Sequence, residues 1–241
     1  ERVAAISGVE GAAVASSVPL DIHGWPSRVF TVDGKQRADG EFDQALSNTV
    51  TPGYFSVMQI PFVAGTDFVS LDDQAAPPQV IVNQAFLDRY IERGASGEAA
   101  LGRRVDARGK SHVIIGVVKT TVYNAFGEPP TPALYFSYRD GAGSQGEIHL
   151  RTRPGAEMTV ALGVRRAVRS LDADLPVFNV RTLSDHVETN LVFRRVPARL
   201  FVVLGPLLFP PLAHTPKKGG ILEGYTLKWT VDPGTVEPHF N

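Results

Sequence analysis

The chain contains no cysteine, which excludes disulfides, thiolate metal sites and cysteine nucleophiles while leaving both reducing and oxidising compartments open. It has almost no net charge, because 24 basic and 25 acidic residues leave a formal value of -1. There is therefore no broad positive field to attract nucleic acid, and no nucleic-acid partner is expected. Long apolar runs are missing too. The most apolar stretch, LFVVLGPLLFPPL at Leu200 to Leu212, has 13 residues and three prolines, against the ~20 apolar residues a membrane-spanning helix needs. Catalytic signatures are absent in the same way. The histidines at 23, 112, 149, 186, 214 and 239 show no HxH or HExxH spacing, and neither a GxSxG elbow nor a Walker A sequence occurs. Zinc hydrolysis, serine hydrolysis and nucleotide hydrolysis have no foothold in local spacing. The sequence opens on Glu1, without an initiator Met or an apolar leader, as expected of a processed product or an excised piece.

What is present is a chain of 241 residues with 43% hydrophobic content, sufficient for a packed core in one large domain or two small ones. Ala12 to Leu20, Arg28 to Val32 and Ala45 to Val50 read as strands. Thr51 is placed to cap a helix with Pro52 at its first position. Tyr54, Phe55, Met58 and Ile60 then turn toward a core, and Pro61 ends the segment. Gln79 to Val82 reads as a strand and Asn83 as the cap of a helix presenting Phe86, Leu87, Tyr90 and Ile91. Arg104 to Asp106 and His112 to Lys119 form a hairpin around Arg108 to Lys110. Ala133 to Tyr138 and Gly146 to Arg153 are strands expected to pair with each other. Pro154 opens a helix with Val160, Val164, Ala167, Val168 and Leu171 on the face that packs on a sheet, with Arg165, Arg166 and Arg169 outward. VFNVRT at Val177 to Thr182 reads as a strand, and Thr182 with Asp185 has the pattern of a capping box opening a helix through Leu191.

Few residues invite a chemical role. Gly141, Gly143 and Gly146 match GxGxxG, but a strand follows them where phosphate binding needs a helix, so they read as a hairpin connection. Asp72 with Asp73 and Asp172 with Asp174 sit in turns, where aspartates bond nearby amides, and Asp172-Ala-Asp174 lacks the further ligands of a twelve-residue calcium loop. The histidines read as surface residues. A metal-dependent hydrolase using Asp72 or His112 is the only enzymatic reading they allow. Arg194, Arg195 and Arg199 ahead of the apolar LFVVLGPLL form a basic-then-apolar junction like the entrance to a membrane helix. No residue is assigned a catalytic, cofactor-binding or metal-binding role, and no cofactor is expected.

Several longer motifs, in order, resemble one family. They are RVAAISGVEGAAVASSVPL at Arg2 to Leu20, VTPGYFSVMQIPFVAGTDF at Val50 to Phe68, VIVNQAF at Val80 to Phe86 and LGRRV at Leu101 to Val105. VIIGVVKTTVYNAFGEPPTPALYF at Val113 to Phe136, HLRTR at His149 to Arg153 and VRRAVRSLDADLPVFNVRTLSDHV at Val164 to Val187 follow. Together they resemble the extracytoplasmic core domain of MacB/FtsX-type ABC-transporter permeases, in particular the duplicated orphan permeases of acidobacteria.

The resemblance implies an α+β fold made of a discontinuous porter-like α/β subdomain, residues 1–78 and 137–192, and a small inserted α/β subdomain, residues 79–136. Residues 193–241 then form a membrane-proximal tail whose prolines and charges depart from the family's long apolar helix. The resemblance further implies a non-enzymatic domain outside the inner membrane, facing the periplasm. In such permeases an ABC ATPase subunit drives motion that the outer domain turns into substrate export or partner regulation. A second permease copy and a periplasmic or envelope partner are the other associations implied. The tail also leaves room for a soluble secreted or periplasmic binding protein derived from such a domain.

Overall fold

Local sequence sets the central strand and its helix. Gln79, Val80, Ile81, Val82 and Asn83 form strand β5, with the last four side chains buried, and β-branched bulk on both faces suits a strand covered on both sides. The carboxamide of Asn83 then accepts from the Phe86 amide at 2.9 Å and starts helix α2, Gln84–Tyr90. The computed structural model describes residues 2–35, 41–72, 77–141 and 146–189. The tail from 193, with Leu200–Leu212 and the arginines before it, lies outside these residues, as do Asp73 and Gly143.

The remaining strands are β1 (Val9–Ala15), β2 (Ser27–Val32), β3 (Asp43–Val50), β4 (Phe62–Gly65), β6 (Arg104–Ala107), β7 (Lys110–Val118), β8 (Ala133–Ser137) and β9 (Glu147–Thr152). They form one mixed sheet in the order β2-β6-β7-β5-β8-β3-β1-β9, with β4 on β7. Strand β2 also pairs with β3 through Ser27 opposite Leu46 and Phe30 opposite Asp43, and with β6 through Thr31 opposite Asp106. By changing partner near Phe30, β2 closes β2, β6, β7, β5, β8 and β3 into a ring, and closure removes strand edges that would otherwise stay unpaired.

Alternation sends neighbouring residues of the ring into two different cores. Phe30, Val80, Val82, Val105, Ile114, Leu134 and Phe136 fill one, together with Phe86 and Leu87 of α2. Trp25, Val50, Tyr54, Phe55, Ile81, Val118, Tyr123 and Tyr135 fill the other. Helix α2 covers one end of the ring, where the Tyr90 hydroxyl donates to the Gln44 carbonyl at 2.6 Å.

Several expected elements differ in the folded chain. The helix after Thr51 begins later, as α1 (Tyr54–Val57), with Gly53 at its N-cap at φ 84. The Thr51 hydroxyl is occupied by the Val14 amide at 2.9 Å, so it serves β1 and not the helix. The Gly53 amide donates to Asp67 at 2.9 Å. Strands β8 and β9 do not pair: β9 lies against β1, with Ala12 opposite Leu150, and β8 lies between β5 and β3. The connection through Gly141 and Gly146 is therefore not a hairpin loop. A side chain at Gly146 would stand 2.7 Å from Val14, so close packing explains that glycine.

Helix α3 is Glu157–Arg169, three residues after Pro154, with Val160 and Val164 buried. It packs against the segment leading into β1: a side chain at Gly163 would meet Ile6 at 2.8 Å, and one at Gly8 would meet Ala156 at 2.9 Å. Leu171, expected on the buried face, is 63% exposed. Val177 to Thr182 forms no strand and pairs with none of the described strands. The Thr182 hydroxyl does cap the following helical segment, 183–189, by accepting from the Asp185 amide at 3.1 Å.

Candidate functional site

Three groups of polar residues are candidates for a functional centre. The first is a hydrogen-bond network behind β5 and β8. Asn83 Nδ2 donates to the Tyr123 hydroxyl at 2.9 Å and to the Thr131 carbonyl at 2.8 Å, while its oxygen also accepts from the Ala133 amide at 3.0 Å. Tyr135 donates to Tyr123 at 3.1 Å, and Trp25 packs on Tyr123 with centroids 4.7 Å apart. Complete burial, with Tyr123 and Tyr54 beside it, holds the Tyr135 phenol well above its ordinary pKa. Glu128 accepts from the amides of Tyr123, Asn124 and Ala125 and so fixes the loop carrying Tyr123. Every polar atom of Asn83 is engaged, which is the behaviour of a structural network rather than of a site awaiting a ligand.

The second group joins β9, α1 and the 183–189 segment. The Tyr54 hydroxyl and His149 Nε2 are buried and have no hydrogen-bond partner among the described residues, with ring centroids 5.6 Å apart. Burial, reinforced by His186, pushes the His149 pKa down to about 4, so the ring is neutral at neutral pH. His186 Nε2 lies 3.0 Å from the Pro19 carbonyl. A neutral imidazole and an un-ionised phenol here have neither an activated nucleophile nor a base beside one.

The third group is a cleft of ≈400 Å³ between β2 and the β6–β7 turn, lined by Val29, Thr31, Phe42, Asp106, Arg108 and Lys110 among others. Arg108 and Gly109 both have positive φ, 55 and 74, as a two-residue type I′ hairpin requires. Arg108 returns over the Phe136 ring at 5.1 Å, at the end of the ring of strands opposite α2.

The residues singled out in the sequence do not assemble into one site. His112 is buried against Phe136, with centroids 5.0 Å apart, and desolvation lowers its pKa. His186 is buried as well, so the expectation of surface histidines holds for His23 but not for these two. Strand alternation on β7 was the available signal for His112. The Asp172 carboxylate accepts from the Asp174 amide at 2.9 Å, and the Asp72 amide bonds Ser70 at 3.0 Å, which are turn roles. Among the described residues no cluster of three or more metal-ligating side chains occurs, and no helix is long and apolar enough to cross a membrane.

The profile of the MacB-like periplasmic core domain family matches residues 2–163. The chain belongs to that family. A MacB-like core domain is the extracytoplasmic part of an ABC-type transporter permease, and the family works with ATPase subunits. Such domains lie on the outer side of the inner membrane. Two solved structures share the MacB-like fold. The periplasmic region of MacB from Actinobacillus actinomycetemcomitans is 17% identical with a TM-score of 0.52, over 77% of this chain and 79% of that one. The extracellular domain of the noncanonic ABC-type transporter YknZ from Gram-positive bacteria is 13% identical with a TM-score of 0.51, over 75% and 85%. The expected α+β class agrees with this likeness. No curated protein matches this MacB-like chain in sequence.

Proposed function

We propose that this chain is a non-enzymatic coupling domain: the outer part of a permease that converts ATP-driven motion into substrate export or regulation of an envelope partner. The observation that carries the reading is the family match from residue 2 to residue 163. Asn83, Tyr123 and Tyr135 bond one another, and His149 is held neutral, so none of them presents an acid, base or nucleophile to a substrate.

The expected two-part organisation gives the coupling a physical form. The part made of residues 1–78 and 137–192 contributes β1, β9, α1 and α3, and it contains the first and last described segments. Residues 79–136 contribute β5 to β8 and α2. The ladders from β2 to β6 and from β3 to β8 join the parts, so a push on α3 or on 183–189 would reach the ring of strands through hydrogen bonds rather than a loose linker. A working partnership with an ABC ATPase subunit and pairing with a second permease copy belong to the same proposal.

Because these 241 residues contain no cysteine, cysteines introduced into them are the only labelling sites within this domain. In the intact permease with its ATPase, labels at Arg165→Cys on α3 and Arg93→Cys beyond α2 are expected to report different distances, to each other or to a lipid label, with and without trapped ATP. Identical distributions in both nucleotide states would defeat the coupling role. Recovery of the native product in the soluble fraction would favour a released binding protein.

A further inference from the structure

The sheet ends on an open strand. Ring closure gives each strand from β2 to β3 two neighbours, but β1 and β9 lie outside the ring, and among the described residues β9 pairs with β1 alone. Such an edge is a template for a further strand. The other strand with a single neighbour, β4, is blunted. It has four residues, a register shift between Phe62 and Ala64 and Gly65 at φ 73, and short or bulged edges resist pairing. Strand β9 has six residues, EIHLRT, without proline, lysine or glycine. It runs in unbroken register from Glu147 opposite Ala15 to Arg151 opposite Gly11.

The sequence of β9 is complementary to itself in the antiparallel sense. A two-fold axis normal to the sheet keeps each face on its own side, and side chains alternate between faces, so an antiparallel copy sets every residue opposite one of the same parity. With His149 on the axis, Glu147 stands opposite the partner's Arg151, and Ile148 opposite the partner's Leu150. The same two pairs recur on the other side of the axis. Directly opposed unlike charges and directly opposed aliphatic side chains are pairs that stabilise antiparallel strands. An axis through Leu150 would instead set Arg151 against the partner's His149 and Ile148 against the partner's Thr152. An axis through Ile148 would set Glu147 against the partner's His149 and leave Arg151 without a counterpart in β9.

The side chains concerned are within reach of a partner. Glu147 is exposed, and Ile148 is 45% exposed. The Arg151 guanidinium donates to the Gln59 carboxamide oxygen at 3.0 Å and lies 3.9 Å from Glu10, which leaves some of its five N–H donors for a further acceptor. The His149 rings are neutral at neutral pH and bring no charge to the axis.

We propose that β9 is a self-pairing edge, through which two copies of this domain join antiparallel strands across a two-fold axis at His149 and form one continuous sheet. The pairing gives a surface to the second permease copy of the proposed coupling role and rests on that reading for its setting. Association is measured on this chain alone, and coupling on distance changes in the intact permease, so either can fail while the other stands.

One strand pair is a small interface, below the ~1,200 Å² of stable complexes, so the isolated chain should dimerise weakly, with a Kd of about 10–100 µM. Sedimentation equilibrium of the full chain is the test. Glu147→Arg and Arg151→Glu should each weaken self-association about tenfold or more, because each turns two attractive pairs into repulsive ones. An equimolar mixture of the two variants should recover it, since the mixed dimer has one native and one reversed ion pair; a loss caused by poor folding would not recover on mixing. For the register, oxidation should link Ile148→Cys chains to Leu150→Cys chains about tenfold faster than it links either variant to itself. No self-association of the native chain, undiminished association of Glu147→Arg, or a mixture no tighter than its components would each overturn the proposal. Linkage within one cysteine variant as fast as between the two would overturn the axis at His149. A monomer whose outward β9 amides resist hydrogen exchange would assign the edge to a strand of the same chain and overturn the pairing between copies.

Discussion

Replacement of Asn83 by alanine should be among the most damaging single changes in the domain. The side chain is fully buried and satisfies four groups: the Phe86 and Ala133 amides, the Tyr123 hydroxyl and the Thr131 carbonyl. Loss of the helix cap alone costs about 1 kcal/mol. Each buried group left without a partner adds about 1–3 kcal/mol, less whatever local relaxation recovers. Allowing for that relaxation, Asn83→Ala should lose about 3–5 kcal/mol, a large part of the ~5–15 kcal/mol that holds a typical domain folded. Urea unfolding read by Trp25 fluorescence, in a Trp229→Phe background so that one indole reports, gives the value directly. With a slope near 2 kcal/mol/M, the midpoint should fall by about 2 M. Asn83→Asp provides the control. It keeps an acceptor for Phe86 but buries a carboxylate against the Thr131 carbonyl, so it should also be strongly destabilising at neutral pH and recover partly as acid protonates it. A loss below about 1 kcal/mol for Asn83→Ala would refute the account of this network as the joint between α2 and the Tyr123 loop.

Gly65 has φ 73 and a side chain there would lie 2.2 Å from the Ile115 carbonyl oxygen, so Gly65→Ala should cost about 3 kcal/mol or more in urea unfolding. Gly109→Ala, also at positive φ but facing open space, should cost only about 1 kcal/mol. The His149 pKa is about 4 in the folded chain against about 6.5 unfolded. The unfolded state therefore binds the proton first, and stability should fall as pH drops from 6.5 toward 4 and level off below; His149→Phe should flatten that slope by roughly 2 kcal/mol over the interval. Glu128→Gln keeps the shape but removes the charge from the bonds to the 123–125 amides, and should cost about 1 kcal/mol with faster hydrogen exchange confined to that loop.

What could be read from the sequence is what neighbouring residues decide. Asn83 caps α2, and the β6–β7 hairpin turns at Arg108 and Gly109, because each depends on side chains within a few positions. Strands β2 and β3 were legible for the same reason. What escaped was set by distant partners. The pairing of β9 with β1 cannot be inferred from either strand, and the Thr51 hydroxyl was claimed by the Val14 amide. Val177 to Thr182 has strand composition but joins no ladder among the described residues. The buried state of His186 likewise depends on Pro19, far away in the chain.

The closed ring of strands also governs the order in which the chain can fold. Strand β3 must wait for β8, with Leu46 opposite Ala133, and β1 must wait for β9, with Ala12 opposite Leu150. During synthesis from the N-terminus, β3 can pair with β2 at once, but its β8-facing edge and most of β1 emerge long before the strands that cover them exist. A domain so arranged should fold slowly and late, and its exposure to aggregation should be greatest while the stretch between β3 and β8 is still emerging.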